Sequence, residues 1–155
     1  MRMQKESGLS TFPPISGRLG YADIYLFRHQ YFIVPILNMP NGVPIDIEPL
    51  QALPDSTNDE QLGEAVKSAI DVSRSGTAPK QIDKNRLLTL ARVESWRSFQ
   101  REAANCLVEI NEDRFKVYPS LRRAGGFVNE GEVLELASAK SVTLGEVVRQ
   151  CLLRS

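Results

Sequence analysis

Leu62-Gly63-Glu64-Ala65-Val66-Lys67-Ser68-Ala69-Ile70 and Leu144-Gly145-Glu146-Val147-Val148-Arg149-Gln150-Cys151-Leu152 carry the same pattern. Each sets apolar side chains at steps of three, four, seven and eight, the spacing of one helix face. The first stripe is Leu62, Ala65, Val66, Ala69 and Ile70, and the second is Leu144, Val147, Val148, Cys151 and Leu152. Two helices with such stripes read as packed on one core rather than as a ligand-binding repeat. A solenoid is excluded, because it needs three or more copies at a shorter period. Gly63 and Gly145 fall in the first turns, where glycine costs less than ~1 kcal/mol and permits close packing. Thr143 and Glu146 have capping-box spacing, and Ser56-Thr57-Asn58-Asp59 offers N-cap oxygens before Leu62.

The segments around these helices supply the sheet. Ile24 to Leu37 is rich in aromatic and β-branched residues and reads as one strand, or two meeting near Arg28-His29-Gln30. Pro35 belongs at an edge or a bulge, since it has no N–H for a ladder. Asn41-Gly42 marks a turn. Val43 to Leu53, with prolines at 44, 49 and 54 in and around it, is extended but not a central strand. The first helix runs from about Asp59 to Arg74 and ends in the loop Ser75-Gly76-Thr77-Ala78-Pro79. A short helix covers Lys84 to Val93, and Ser95 caps another that carries Trp96, Phe99 and Ala103 on one face. Trp96 and Phe99 form an aromatic anchor.

Asn105 to Leu121 alternates as a β-hairpin with its turn at Asn111-Glu112-Asp113. Cys106, Val108, Ile110, Phe115 and Val117 face the core. Arg122-Arg123-Ala124-Gly125-Gly126 reads as a flexible basic loop, and Val133 to Leu136 as a strand or a helical turn. The order of strands, helices, hairpin and helix predicts a single α+β domain over residues 21–155, a mostly antiparallel sheet packed with several amphipathic helices. Residues 1–20, rich in Ser, Gly and Pro, read as a flexible tail. Arg2 and Lys5 precede no apolar stretch, so no signal peptide is expected.

No apolar run approaches the ~20 residues of a membrane span, and the expected location is the cytoplasm. Cys106 and Cys151 are expected to be buried free thiols in that setting. The 155 residues carry 19 basic and 19 acidic side chains, a net charge of zero, which disfavours direct nucleic-acid binding. Charge is unevenly placed. Pro44 to Val66 holds six acids (Asp46, Glu48, Asp55, Asp59, Glu60, Glu64) and no Lys or Arg, whereas Lys67 to Ala104 holds eight bases and four acids. Such an acidic stretch suits a basic protein partner, although the field of a helix N-terminus also favours acids there.

Catalytic equipment is sparse. His29 is the sole histidine, no Cys or His spacing suits a metal, and no GxxxxGK[ST] or GxGxxG is present. The best enzymatic candidate is Asp46-x-Glu48, whose carboxylates would share one side of an extended segment, as in metal-dependent nucleases. Such sites also want a lysine, and none lies between Pro44 and Val66. Glu130, Glu132 and Glu135 read as solvated turn acids, and Arg122-Arg123 as a surface loop rather than a phosphate grip. No enzyme activity, metal or cofactor is expected.

Several segments taken in order resemble a family. They are Tyr31-Phe32-Ile33-Val34-Pro35 after a first strand, Leu62-Gly63-Glu64-x-Val66 with Ser73-Arg74, and Leu87-Leu88 through Val93-x-Ser95-Trp96-x-x-Phe99. Val117-Tyr118-Pro119 and Leu144-Gly145-Glu146 complete the set. Together, from about Tyr21 onward, they resemble the immunity proteins of bacterial contact-dependent growth inhibition systems. The resemblance implies a cytoplasmic protein that binds the C-terminal toxin domain delivered by a sibling cell and blocks its active site or substrate groove. Many such toxins are nucleases with basic grooves, so carboxylates would steer association. On that implication the candidate toxin-binding residues are Asp55, Asp59, Glu60, Glu64, Glu109, Glu112 and Asp113. The shared segments are core patterns, so no binding residue carries over from the family, and the zero net charge departs from a strongly acidic inhibitor. The alternatives are a small metal-dependent nuclease or hydrolase using Asp46 and Glu48, or a generic protein-binding module.

Overall fold

A computed structural model describes residues 19–38, 44–75, 84–123, 126–129, 132–137 and 140–154. An eight-stranded antiparallel sheet lies between two pairs of helices, a single-domain α+β fold. Its centre is β1 (Leu19–Phe27), paired on one side with β2 (Gln30–Asn38) and on the other with β5 (Ala104–Asn111). β6 (Arg114–Arg123) continues the sheet as the hairpin partner of β5. The outer side of β2 is shared by β3 (Pro44–Asp46) and β4 (Gln51–Pro54). That of β6 is shared by β7 (Gly126–Asn129) and β8 (Leu134–Ala137).

The aromatic run is thus two strands meeting at Arg28-His29. Pro35 pairs with Ala22 and accepts a bond from the Ile47 N–H, in the gap between β3 and β4. In a strand the N–H and C=O of one residue point the same way, so the donor that Pro35 lacks would face this gap rather than β1.

Alternation sorts the side chains. Ala22, Ile24, Tyr31, Ile33, Cys106, Val108, Ile110, Phe115 and Val117 line one face, against α1 (Asp59–Arg74) and α4 (Ser141–Leu153). Tyr25, Phe27, Phe32 and Val34 line the other, against α2 (Lys84–Ala91) and α3 (Trp96–Glu102). Ser95 caps α3 through the Ser98 N–H. The Trp96 and Phe99 rings stack at 5.3 Å, and Phe99 also meets Phe27 at 4.8 Å and Tyr25 at 5.3 Å. Cys106 and Cys151 are free thiols buried in the first core.

The two related helices lie on the same face and press on each other at their glycines. A Cβ on Gly63 would stand 1.8 Å from the Ser141 carbonyl oxygen, and one on Gly145 would stand 1.8 Å from that of Asp59. Each glycine therefore meets the residue one turn before the other, a reciprocal contact between backbones. Asn58 caps α1 by accepting from the Gln61 N–H at 2.8 Å, while the Gln61 side chain accepts from the Asn58 N–H. Ser73 fixes the far end of α1. It accepts from the Tyr21 N–H at 2.9 Å and donates to the Ile36 carbonyl.

Four details differ from the sequence reading. The Thr143–Glu146 capping box is not used, because α4 starts earlier, with Lys140 at the N-cap and no side-chain cap bond. Arg122 and Arg123 end β6 rather than forming a loop, because the backbone there pairs with β7. Gly126–Asn129 is an unforeseen strand, held by that pairing rather than by an alternating pattern of its own. Ala103 is the C-cap of α3, not part of its helical face. The expected tail except Leu19 and Gly20, the Asn41-Gly42 turn, Gly76 to Pro79, Ala124-Gly125 and Glu130 lie outside the described residues.

The glycine contact makes a sharp prediction. Gly63→Ala and Gly145→Ala should each lower stability by about 3 kcal/mol in urea unfolding, despite alanine's better helix propensity. The double variant should lose less than the sum, because either methyl alone already separates the helices. Additive losses would show that the two contacts yield independently.

Candidate functional site

Four candidate acids sit where β4 runs into α1. Asp55 lies in the connecting turn, its N–H bonded to the His29 carbonyl at 2.9 Å and its carboxylate 2.9 Å from His29 Nδ1. Asp59 opens α1, where the helix dipole favours negative charge. Its carboxylate is engaged by Arg149 of α4, whose Nε donates at 2.7 Å. The same guanidinium donates to the Tyr31 hydroxyl at 2.6 Å and the Thr57 carbonyl at 2.7 Å. Arg149 thus joins α4, α1, β2 and the turn before α1. The half-buried pairs it makes hold this end of the molecule in one arrangement.

Glu60 and Glu64 are one turn apart and exposed on α1, and neither has an ion pair among the described residues. Glu64 borders an open groove of about 540 Å³ between α1 and β4, with Gln51, Leu53, Pro54, Thr57, Gln61, Ala65 and Ser68. The Gln51 amide donates to the Ala65 carbonyl at 3.0 Å and ties the edge strand to the helix. Among the described residues no Lys or Arg lines the groove.

The remaining candidates are elsewhere. Glu112 and Asp113 form the exposed β5–β6 turn, next to Asn111, which pairs with Leu19 at the start of β1. Asp55 is bonded to His29, beyond the other end of β1. With nine residues at ~3.3 Å each, the two acidic groups stand at opposite ends of the sheet, roughly 25–30 Å apart. Glu109 sits on β5, where its carboxylate accepts from the Tyr118 hydroxyl at 2.5 Å. That bond, with burial, pushes the Tyr118 pKa up to about 12.

Asp46 and Glu48 have separate partners. Glu48 is ion-paired with Arg86 of α2 and accepts from the Leu50 N–H. Asp46 lies on β3, near enough to Asp23 of β1 to raise its pKa. No group of three or more His, Cys, Asp or Glu able to hold a metal occurs among the described residues. His29 likewise pairs with Asp55 on the surface, remote from the buried thiols.

Asp23 is the residue that sequence reading missed. It interrupts an otherwise apolar strand, and that interruption was the available signal. Its carboxylate is met by the Tyr25 hydroxyl and by Asn105 Nδ2 at 3.4 Å. Asn105 also donates to the Ile24 carbonyl at 3.0 Å. Burial first, and the Asp46 charge second, push the Asp23 pKa up to about 7. With Tyr21, Glu109 and Tyr118 it makes one half of the second sheet face polar, beside the half sealed by α2 and α3.

Folding therefore lets Asp23 keep a proton that the unfolded chain has released above about pH 4. Its stabilising contribution is full below that pH and is lost as pH rises through about 7. Asp23→Asn should flatten this part of the stability–pH profile and raise stability at about pH 8 relative to the parent, by up to ~4 kcal/mol. Urea unfolding across that range checks it, and an unchanged slope would remove Asp23 as the cause.

Among solved structures, the fold matches the Protein of Unknown Function NMB0488 from Neisseria meningitidis. The TM-score is 0.74 at 16% sequence identity, covering 93% of this chain and 98% of that one. It also matches a chain of the CdiA-CT/CdiI toxin and immunity complex from Yersinia pseudotuberculosis. There the TM-score is 0.70 at 13% identity, covering 88% of this chain and 97% of the other. No protein-family model matches the chain, and no curated protein does. At these identities the likeness is one of fold, and it extends over nearly the whole domain.

Proposed function

We propose that this chain is an immunity protein that binds the C-terminal toxin domain of a cognate contact-dependent growth inhibition effector. It neutralises the toxin, a nuclease among the candidates, by covering its active site or substrate groove. It acts in the cytoplasm, stoichiometrically, without cofactor and without chemistry of its own. The observation that carries this reading is the near full-length fold match to a chain of a toxin and immunity complex. The ordered segments described in the sequence, from Tyr31-Phe32-Ile33-Val34-Pro35 to Leu144-Gly145-Glu146, support the same family. No helix among the described residues is long and apolar enough to cross a membrane. The engagement of Glu48 by Arg86 weakens the hydrolase alternative.

The toxin contact is assigned to the α1 end of the sheet. Glu60 and Glu64 are exposed there, and Glu64 borders an open groove with no basic side chain among the described residues, which leaves their negative field available to a basic partner. Asp55 and Asp59 contribute less, because His29 and Arg149 already engage them.

Mixing the purified protein with the toxin domain encoded beside its gene should give a one-to-one complex and abolish toxicity on co-expression, with no protection against unrelated toxins. Failure to bind that domain would sink the proposal. Glu60→Lys with Glu64→Lys should slow association about tenfold and weaken its salt dependence, with the fold intact. Asp59 is left unchanged because its loss would strand Arg149. Glu112→Lys with Asp113→Lys, at the opposite end, should leave association within about twofold, and a larger effect there would move the contact to that end.

A further inference from the structure

A cavity of about 690 Å³ lies on the other side of the β1–β2 turn, where that turn meets the C-terminal end of α2. Among the described residues it is lined by Phe27, Arg28, Gln30, Thr89, Leu90, Ala91 and Arg92. Both ionisable side chains of this lining are arginines. Leu90, 40% exposed, supplies the aliphatic surface of the cavity, while Phe27 beneath Arg28 and Ala91 are buried.

The backbone presents these arginines at positions where another residue would cost less. Arg28 and His29 both have positive φ, 46° and 70°, as the two central residues of a type I′ hairpin turn require. Asn-Gly is the inexpensive choice there. Arg92 also has positive φ, 61°, and follows the last residue of α2. The Arg92 N–H donates to the Thr89 carbonyl at 3.1 Å, and the Val93 N–H donates to the Leu88 carbonyl at 3.1 Å. This is a Schellman closure with arginine where glycine is usual. Left-handed backbone disfavours any residue with a Cβ, yet at both places the side chain is a long cation lining the same cavity.

The two guanidinium groups differ in state. Arg28 lies 4.8 Å over the Phe27 ring, and Glu102 holds it by two bonds, from Nε at 3.1 Å and from Nη2 at 2.5 Å. Those bonds fix its plane and leave three of its five N–H groups available. Arg92 is exposed, and its guanidinium has no ion pair or hydrogen bond among the described residues. Two features here oppose an anion: the Glu102 carboxylate, which offsets the charge of Arg28, and the negative end of the α2 dipole. The dipole amounts to about half a charge, two of the carbonyls at that end are already bonded, and the whole guanidinium of Arg92 outweighs it.

We infer that this cavity is a binding site for a small organic anion, with its oxyanion held by Arg92 and the free N–H groups of Arg28 and its apolar body resting on Leu90. Gln30 and Thr89 supply the neutral hydrogen-bonding groups of the wall. A phosphate and a carboxylate share the acceptor chemistry that guanidinium recognises. The site is separate from the proposed toxin contact and stands whether or not that contact does.

Calorimetric titration of the full chain with phenyl phosphate, phenylacetate and inorganic phosphate tests it. At least one aryl anion should bind saturably and more tightly than inorganic phosphate, and the tighter of the two identifies the oxyanion. Arg92→Gln should weaken that binding about tenfold, and raising the salt concentration should weaken it as well. Arg92→Gly provides the second readout: it should lose the same affinity while raising the melting temperature, because glycine relieves the left-handed backbone. Absence of saturable binding by both aryl anions would overturn the inference. So would affinity unchanged in Arg92→Gln, or Arg92→Gly that is less stable than the parent, which would make Arg92 a structural support.

Discussion

The backbone contact between α1 and α4 at Gly63 and Gly145 sets the spacing of everything on the first face of the sheet. α1 covers β1 and β2, while α4 reaches β5 and β6. Two helices separated by ordinary side chains would sit further apart and leave the middle of the sheet open. With glycine at the crossing, Leu62, Val66, Leu144 and Val148 all reach complete burial over one continuous core. Arg149 then fastens the same pair at its rim, and Ser73 secures the far end of α1 to β1 and β2. The repeated Leu-Gly-Glu segment is therefore a mutual contact, each copy serving as the surface against which the other packs.

What the sequence made legible follows from local physics. The stripes of α1 and α4, the hairpin of β5 and β6, the Ser95 cap and the Trp96–Phe99 anchor are set by spacing within a few residues, and each was readable. Long-range pairing was not. Nothing inside Gly126–Asn129 signals a strand, since β6 holds it. Thr143 and Glu146 have the spacing of a cap, but α4 starts earlier, at Ser141, so the local signal was overruled.

The acidic candidates illustrate the same limit. Along the chain, Asp55 to Glu64 and Glu109 to Asp113 look like two equivalent groups. In three dimensions they occupy opposite ends of the sheet, and Asp55, Asp59 and Glu109 are already bonded to His29, Arg149 and Tyr118. Pairing, which separates Glu60, Glu64, Glu112 and Asp113 from these three bonded acids, depends on residues up to ninety positions away. Asp23 escaped notice for the opposite reason. It was visible as one polar residue among apolar ones, but its meaning depends on Asp46, Tyr25 and Asn105 meeting it across three strands.

The divided margins of the sheet carry a consequence for life at high concentration. Neither outer side presents one long strand. Each is broken into pieces of three or four residues, β3 and β4 on one side and β7 and β8 on the other. Pro44 and Pro54 remove a donor from two of those pieces. A second copy of the chain thus finds little continuous backbone to copy onto, which suppresses the edge-to-edge growth to which sheets are prone. Fragmented borders are a geometric way for copies of the chain to stay apart where they are crowded.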